Sequence, residues 1–133
     1  MRRIVVDTNV LISSAISDKG SPAKIMDLVL DGLIKTCYSH QIILEYKEVL
    51  SRPKFDFDYK KQQSLIAGIK RSGILIDPDT STIKIPDESD RVFYDTAYES
   101  GSILVTGNIK HYPDKCFIMT PTEYIYNIYN ILK

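Results

Sequence analysis

The chain has 133 residues, 44% of them hydrophobic, with no extended Pro-, Gly- or Ser-rich stretch; this is the size and apolar content of one globular domain spanning residues 1–133. Its 17 basic residues balance 17 acidic ones, so a generally positive, polyanion-coating molecule is excluded, and any polyanion it binds must meet a local basic patch. Cys37 and Cys116 lie in separate apolar stretches without a CxxC or Cys/His cluster, which argues against zinc ligation and a disulfide framework and predicts two buried thiols in a reducing compartment.

The opening MRRIVVDTNV has an apolar run too short for a signal segment, and no run of about 18 apolar residues follows. No membrane association and a cytoplasmic location are expected. Ile4, Val5 and Val6 read as a buried strand of a parallel sheet with Asp7 at its carboxyl end. A short helix from about Asn9 to Ile16 follows, then a second helix with Ser21 as N-cap, Pro22 at its first position and Gly32 beyond its end. Leu33 to Tyr38 reads as a strand, and Ser39 is the expected cap of a helix reaching about Ser51, before Pro53.

A polar helix is expected near Tyr59 to Arg71, a strand at Ile74 to Ile76, a polar loop, and a helix starting near Asp90. Ile103 to Val105 is another buried strand, ending at Thr106-Gly107-Asn108, and Phe117 to Met119 is a candidate last strand. Thr120-Pro121-Thr122-Glu123 is a capping box that opens a terminal helix. This alternation predicts an α/β domain with a mostly parallel sheet.

In such sheets ligands collect at the carboxyl ends of strands, where Asp7 and Asn108 stand. Asp7 is equally explicable as a turn or cap residue. At about 100° per residue, Ile42, Ile43, Tyr46, Val49 and Leu50 share a helix face with Glu45 on its rim, while Glu48 points away. The same phasing buries Val92, Phe93, Thr96 and Ala97, sets Asp90 about one row off that face, and turns Asp95 toward solvent. Asp87 and Glu88 compete with Asp90 as ligands but are also explained by the positive helix end they precede. Carboxylates gathered at a sheet edge repel one another, and a hard divalent cation such as Mg²⁺ or Mn²⁺ offsets that cost. Such an ion supports phosphodiester hydrolysis.

The segments IVVDTNVLISS, HQIILEYKEVLSR, DRVFYDTAYESGSILVTGN and KHYP, taken in order, resemble the PIN-domain family, in particular the VapC-like toxin ribonucleases of toxin-antitoxin pairs. The resemblance covers nearly the whole chain. It implies a doubly wound α/β/α sandwich with a central parallel sheet and a metal-dependent endoribonuclease site formed by Asp7, Glu45, Asp90 and, after Thr106, Asn108. Asn108 departs from the all-acidic pattern; its amide can coordinate a metal ion or hold one of its waters, but it lowers the negative charge and leaves one or two metal ions open.

Asn9 has two candidate uses, a hydrogen bond that orients the Asp7 carboxylate or a helix cap shared with Thr8, and Thr106 is either a support for the site or a buried strand-end hydroxyl. His111 in the KHYP turn and Lys110 beside it are candidate RNA contacts, with Lys54, Lys60, Lys61, Lys70 and Arg71 as an alternative path. Expected partners are an RNA substrate, an antitoxin protein and, with oligomeric state left open, a second copy of the chain. A housekeeping RNA-processing nuclease would carry the same site, and a catalytically weak RNA- or protein-binding module is a third reading, supported by Asn108 and the neutral charge. A phosphotransfer enzyme with Asp7 as nucleophile is disfavoured by Asn9, and no GxxxxGK[ST] or GxGxxG loop supports nucleotide binding.

Overall fold

A computed structural model describes residues 2–71 and 73–132. Five short strands, β1 (Arg3–Val6), β2 (Lys35–Tyr38), β3 (Ile74–Leu75), β4 (Ile103–Val105) and β5 (Ile118–Met119), form one parallel sheet in the order β3-β2-β1-β4-β5. β1 is central because its residues are apolar on both faces: Ile4, Val5 and Val6 are all fully buried. In register, Ile4 lies beside Thr36 of β2 on one side, and Ile4, Val5 and Val6 lie beside Ile103, Leu104 and Val105 of β4 on the other.

The helices are α1 (Thr8–Ile16), α2 (Ser21–Leu30), α3 (His40–Leu50), α4 (Tyr59–Arg71), α5 (Arg91–Ser100) and α6 (Pro121–Leu132). The chain winds outward from β1 to β3 through α1 to α4, then returns across the sheet to β4 through α5. Since parallel crossovers are right-handed as a rule, this reversal of direction sets α5 on the face opposite α1, α2 and α4, in keeping with a doubly wound α/β/α sandwich. α6 returns to pack on α2, where Ser21 Oγ meets Thr122 Oγ1 at 3.2 Å.

Local signals place these elements. Ser39 Oγ accepts the Ile42 N–H at 3.1 Å and starts α3. The Thr120–Glu123 capping box forms in both directions, with bonds of 2.9 and 3.2 Å. Two expectations are corrected. Ser21 is the first residue of α2 rather than its cap, the cap position falling on Gly20 at φ 94°, where the absent side chain lets the backbone turn into the helix one residue early. Cys37 is buried, as expected, and accepts the Ser102 hydroxyl at 3.3 Å, but Cys116 is exposed because it lies in the loop before β5 rather than in the strand.

Candidate functional site

The strand order reverses between β1 and β4, and the crevice beyond their carboxyl ends is where α/β sheets place ligands. Asp7 extends the ladder one residue past β1, its N–H donating to the Val105 carbonyl at 3.0 Å, so its side chain stands beside Thr106. Although only 4% exposed, its carboxylate is well supplied: Oδ2 accepts from Thr106 Oγ1 at 2.8 Å and from the Tyr112 hydroxyl at 2.9 Å. Thr106 Oγ1 in turn accepts the Asn108 N–H at 3.0 Å, which fixes the turn after β4. Asn9 Oδ1 accepts the Gly107 N–H at 2.8 Å, stitching the start of α1 to the same turn. A Cβ at Gly107 would sit 3.1 Å from that oxygen, so a larger residue would push the two loops apart.

Glu45 reaches this crevice from α3. Ile42, Ile43, Tyr46 and Leu50 bury one face of the helix, and the Tyr46 hydroxyl donates to the Val6 carbonyl, tying α3 to the end of β1. Glu45 is therefore half-buried at the rim, with Oε2 accepting from the Thr8 hydroxyl, while Glu48 faces solvent and pairs with Arg52. Burial raises the Glu45 pKa, and the negative charge of Asp7 adds to the rise against the lowering effect of Thr8.

Asp90 closes the third side. It ends a single 3-10 turn at Glu88–Asp90 and leads into α5, whose Val92, Phe93, Thr96 and Ala97 are buried. Burial first, then repulsion from Asp7 and Asp87, push its carboxyl up to about 6. Its Oδ2 is buried and accepts no hydrogen bond; His111 Nδ1 stands 3.5 Å away, an ion-pair contact when the imidazole is charged. Neighbouring carboxylates are otherwise engaged: Asp87 accepts from Ser89 N–H and Oγ at 3.0 and 2.8 Å, and Glu88 pairs with Arg91 at 2.6 Å.

A model of the PIN domain matches residues 3–110. The chain belongs to the PIN-domain family. An uncharacterized protein of Methanocaldococcus jannaschii is 31% identical over 109 residues, 80% of this chain and 70% of that one. In fold, this PIN domain is similar to the solved structure of VapBC2 from Rickettsia felis bound to a DNA fragment from their promoter. The TM-score is 0.54 with 16% identity, over 81% of this chain and 89% of that one.

PIN domains are generally nucleases and typically use divalent metal ions. The donor set of this PIN domain fits such an ion chemically, since Asp7, Glu45 and Asp90 offer only oxygens and one of these, Asp90 Oδ2, is buried without a partner. Among the described residues no three His, Cys, Asp or Glu side chains yet stand in metal-holding geometry. Glu45 Oε2 is engaged by the Thr8 hydroxyl.

Asn108 follows β4, exposed at the start of the 3-10 turn Ile109–His111. His111 and Lys110 are exposed on that turn, whereas Lys61 is tied down, donating to the Ala15 carbonyl at 2.5 Å with its ammonium over Phe57. The α1 cap position is Asp7, and the Asn9 amide oxygen takes the Gly107 N–H. Asp95 is corrected as well. It is 4% exposed rather than solvent-facing, because the loop before α5 folds back over the helix and Asp95 Oδ2 accepts the Ser81 N–H at 3.0 Å. Tyr112 was not legible as a site residue; its one signal is a place four residues after Asn108, and only the fold brings its hydroxyl to Asp7.

Proposed function

We propose that this PIN domain is an endoribonuclease that uses Mg²⁺ or Mn²⁺ held by Asp7, Asp90 and Glu45, with Asn108 beside them, and that it is the toxin of a toxin-antitoxin pair working in the cytoplasm as a single domain. The observation that carries the nuclease reading is the buried Oδ2 of Asp90, which accepts no hydrogen bond and feels the negative charge of Asp7. A carboxylate kept without a donor in a crowded acidic crevice costs stability unless a cation completes it.

When bound, the ion supplies Lewis-acid polarisation of a phosphoryl oxygen and a nucleophilic water at neutral pH. The chain's own contribution is placement. Thr106 and Tyr112 hold one Asp7 oxygen by two donated bonds and leave the other for the ligand. The Tyr112 phenol, pushed well above its ordinary range by burial and by Asp7 and Asp90, stays a donor at every working pH. Asn108 adds an uncharged amide at the rim.

The toxin reading is supported by the fold likeness to VapBC2. The test is incubation of purified protein with a pool of structured RNAs in Mg²⁺, Mn²⁺ or chelator, followed by mapping of cut ends. Internal cleavage that appears with either ion and stops with chelator is the expected result. Cleavage unaffected by chelator, in a preparation free of contaminating nuclease, overturns the metal-dependent reading. An antitoxin is tested by co-expressing the product of an adjacent small gene and measuring whether cleavage is suppressed.

A further inference from the structure

Just past the turn that carries Asn108, the chain between β4 and β5 folds around a pocket of about 260 Å³ whose walls include Ile109, Lys110, Tyr112, Asp114, Lys115 and Ile118. Its floor is apolar, with Ile118 only 6% exposed. Lys110 and Lys115 are exposed at the rim and neither pairs with a carboxylate among the described residues. One wall, Tyr112, is the residue whose hydroxyl donates to Asp7 at 2.9 Å. Pocket and acidic crevice therefore share a side chain.

We infer that this pocket is a nucleotide subsite that holds one unpaired base of single-stranded RNA, guanine in preference to uracil, with Lys110 and Lys115 on the flanking phosphates. The inference rests on the ribonuclease reading for its substrate class. A flat base has two apolar faces to bury, and exposed Ile109 with half-buried Pro113 in the pocket lining offers apolar contact to an unstacked base but not to one inside a duplex. The two ammonium groups in the lining supply the positive charge that the neutral chain lacks overall. Asp114 sets the base preference. A carboxylate only accepts hydrogen bonds; guanine presents two adjacent N–H donors on its pairing edge, whereas uracil presents one donor between two carbonyl oxygens that a carboxylate repels.

The test separates binding from cleavage. A uridine hexamer and the same hexamer with one central guanosine are titrated into the full chain in chelator, with affinity read by fluorescence anisotropy and the bound region by amide chemical-shift perturbation. The expected result is shifts concentrated at residues 109–118, with the guanosine hexamer bound about fivefold tighter or more. Lys115→Ala should weaken both hexamers by about fivefold and flatten the salt dependence by roughly one phosphate contact, and Asp114→Asn should remove the guanosine preference. Shifts elsewhere, or affinities unchanged in Lys115→Ala and Lys110→Ala variants of native circular dichroism, overturn the subsite. Retained binding here with no metal-dependent cleavage of any RNA would instead strike the ribonuclease reading.

Discussion

Two carboxylates stand at α5, half-buried Asp90 at its N-cap and buried Asp95 within it, and the chain treats them in opposite ways. Asp95, 4% exposed, accepts the Ser81 N–H at 3.0 Å and has the Arg91 guanidinium close by, bonded to the Ser81 carbonyl at 3.0 Å. Asp90, five residues earlier, has a buried oxygen with no donor and faces Asp7 and Asp87. The first arrangement fastens a loop to a helix. The second leaves a buried acceptor without a donor, and such a group marks where a ligand is to be expected.

The sharpest way to break this contrast is to neutralise each carboxylate in turn. Asp7→Asn and Asp90→Asn should each lower metal-dependent cleavage by at least about 100-fold, because even residues that only support metal ligands cost about 10–100-fold when removed. Both variants should keep the wild-type far-ultraviolet circular dichroism. Asp95→Ala should do the reverse: in urea titration it should lose about 1–3 kcal/mol of unfolding free energy, since the Ser81 N–H is left without its charged acceptor, while cleavage per folded molecule persists. A 100-fold loss of cleavage in Asp95→Ala at unchanged stability would place Asp95 in the metal-holding set.

Tyr112→Phe sharpens the contrast from the side of the supports. Losing the hydroxyl but keeping the ring, it should weaken Mn²⁺ affinity by about tenfold in a calorimetric titration. The smallest effect is in pH. With a folded pKa of about 6 against an ordinary 3.8, Asp90 binds its proton more tightly in the folded protein. Its contribution to stability is therefore fully present below about pH 4 and is lost as pH rises through 6. In chelator, the wild-type melting temperature should fall relative to Asp90→Asn between pH 4 and pH 7, by on the order of a few °C after allowance for solvent screening. Added Mn²⁺ should reverse the difference at pH 7, and a pH-independent gap would show that Asp90 is not held in this state.

What the sequence made legible is local. The β-branched run ending at Asp7, the Ser39 cap, the phase of Glu45 against Ile42 and Tyr46, and the Thr120–Glu123 box all depend on neighbours within one or two turns, and the fold contains each of them. Helix phase also found the buried Val92, Phe93, Thr96 and Ala97 of α5. It failed at Asp95 because the burying surface is the loop around Ser81, which a helical wheel of α5 does not contain. It could not find Tyr112, whose partner lies 105 residues away. Pairs of that kind are set by strand order, and strand order is a property of the whole sheet.

The same long reach dictates when the acidic crevice can exist during synthesis. Asp7 is made well before its two donors, which lie 99 and 105 positions later. The ladder that aligns them, Val6 beside Val105, closes a loop of comparable length. Contacts of such separation are paid for in chain entropy before they return any stability, so they form late. A ribosome must release residue 112 of 133 before the Asp7 carboxylate is fully braced. Until then the growing chain carries every acidic residue of the crevice without the geometry that joins them.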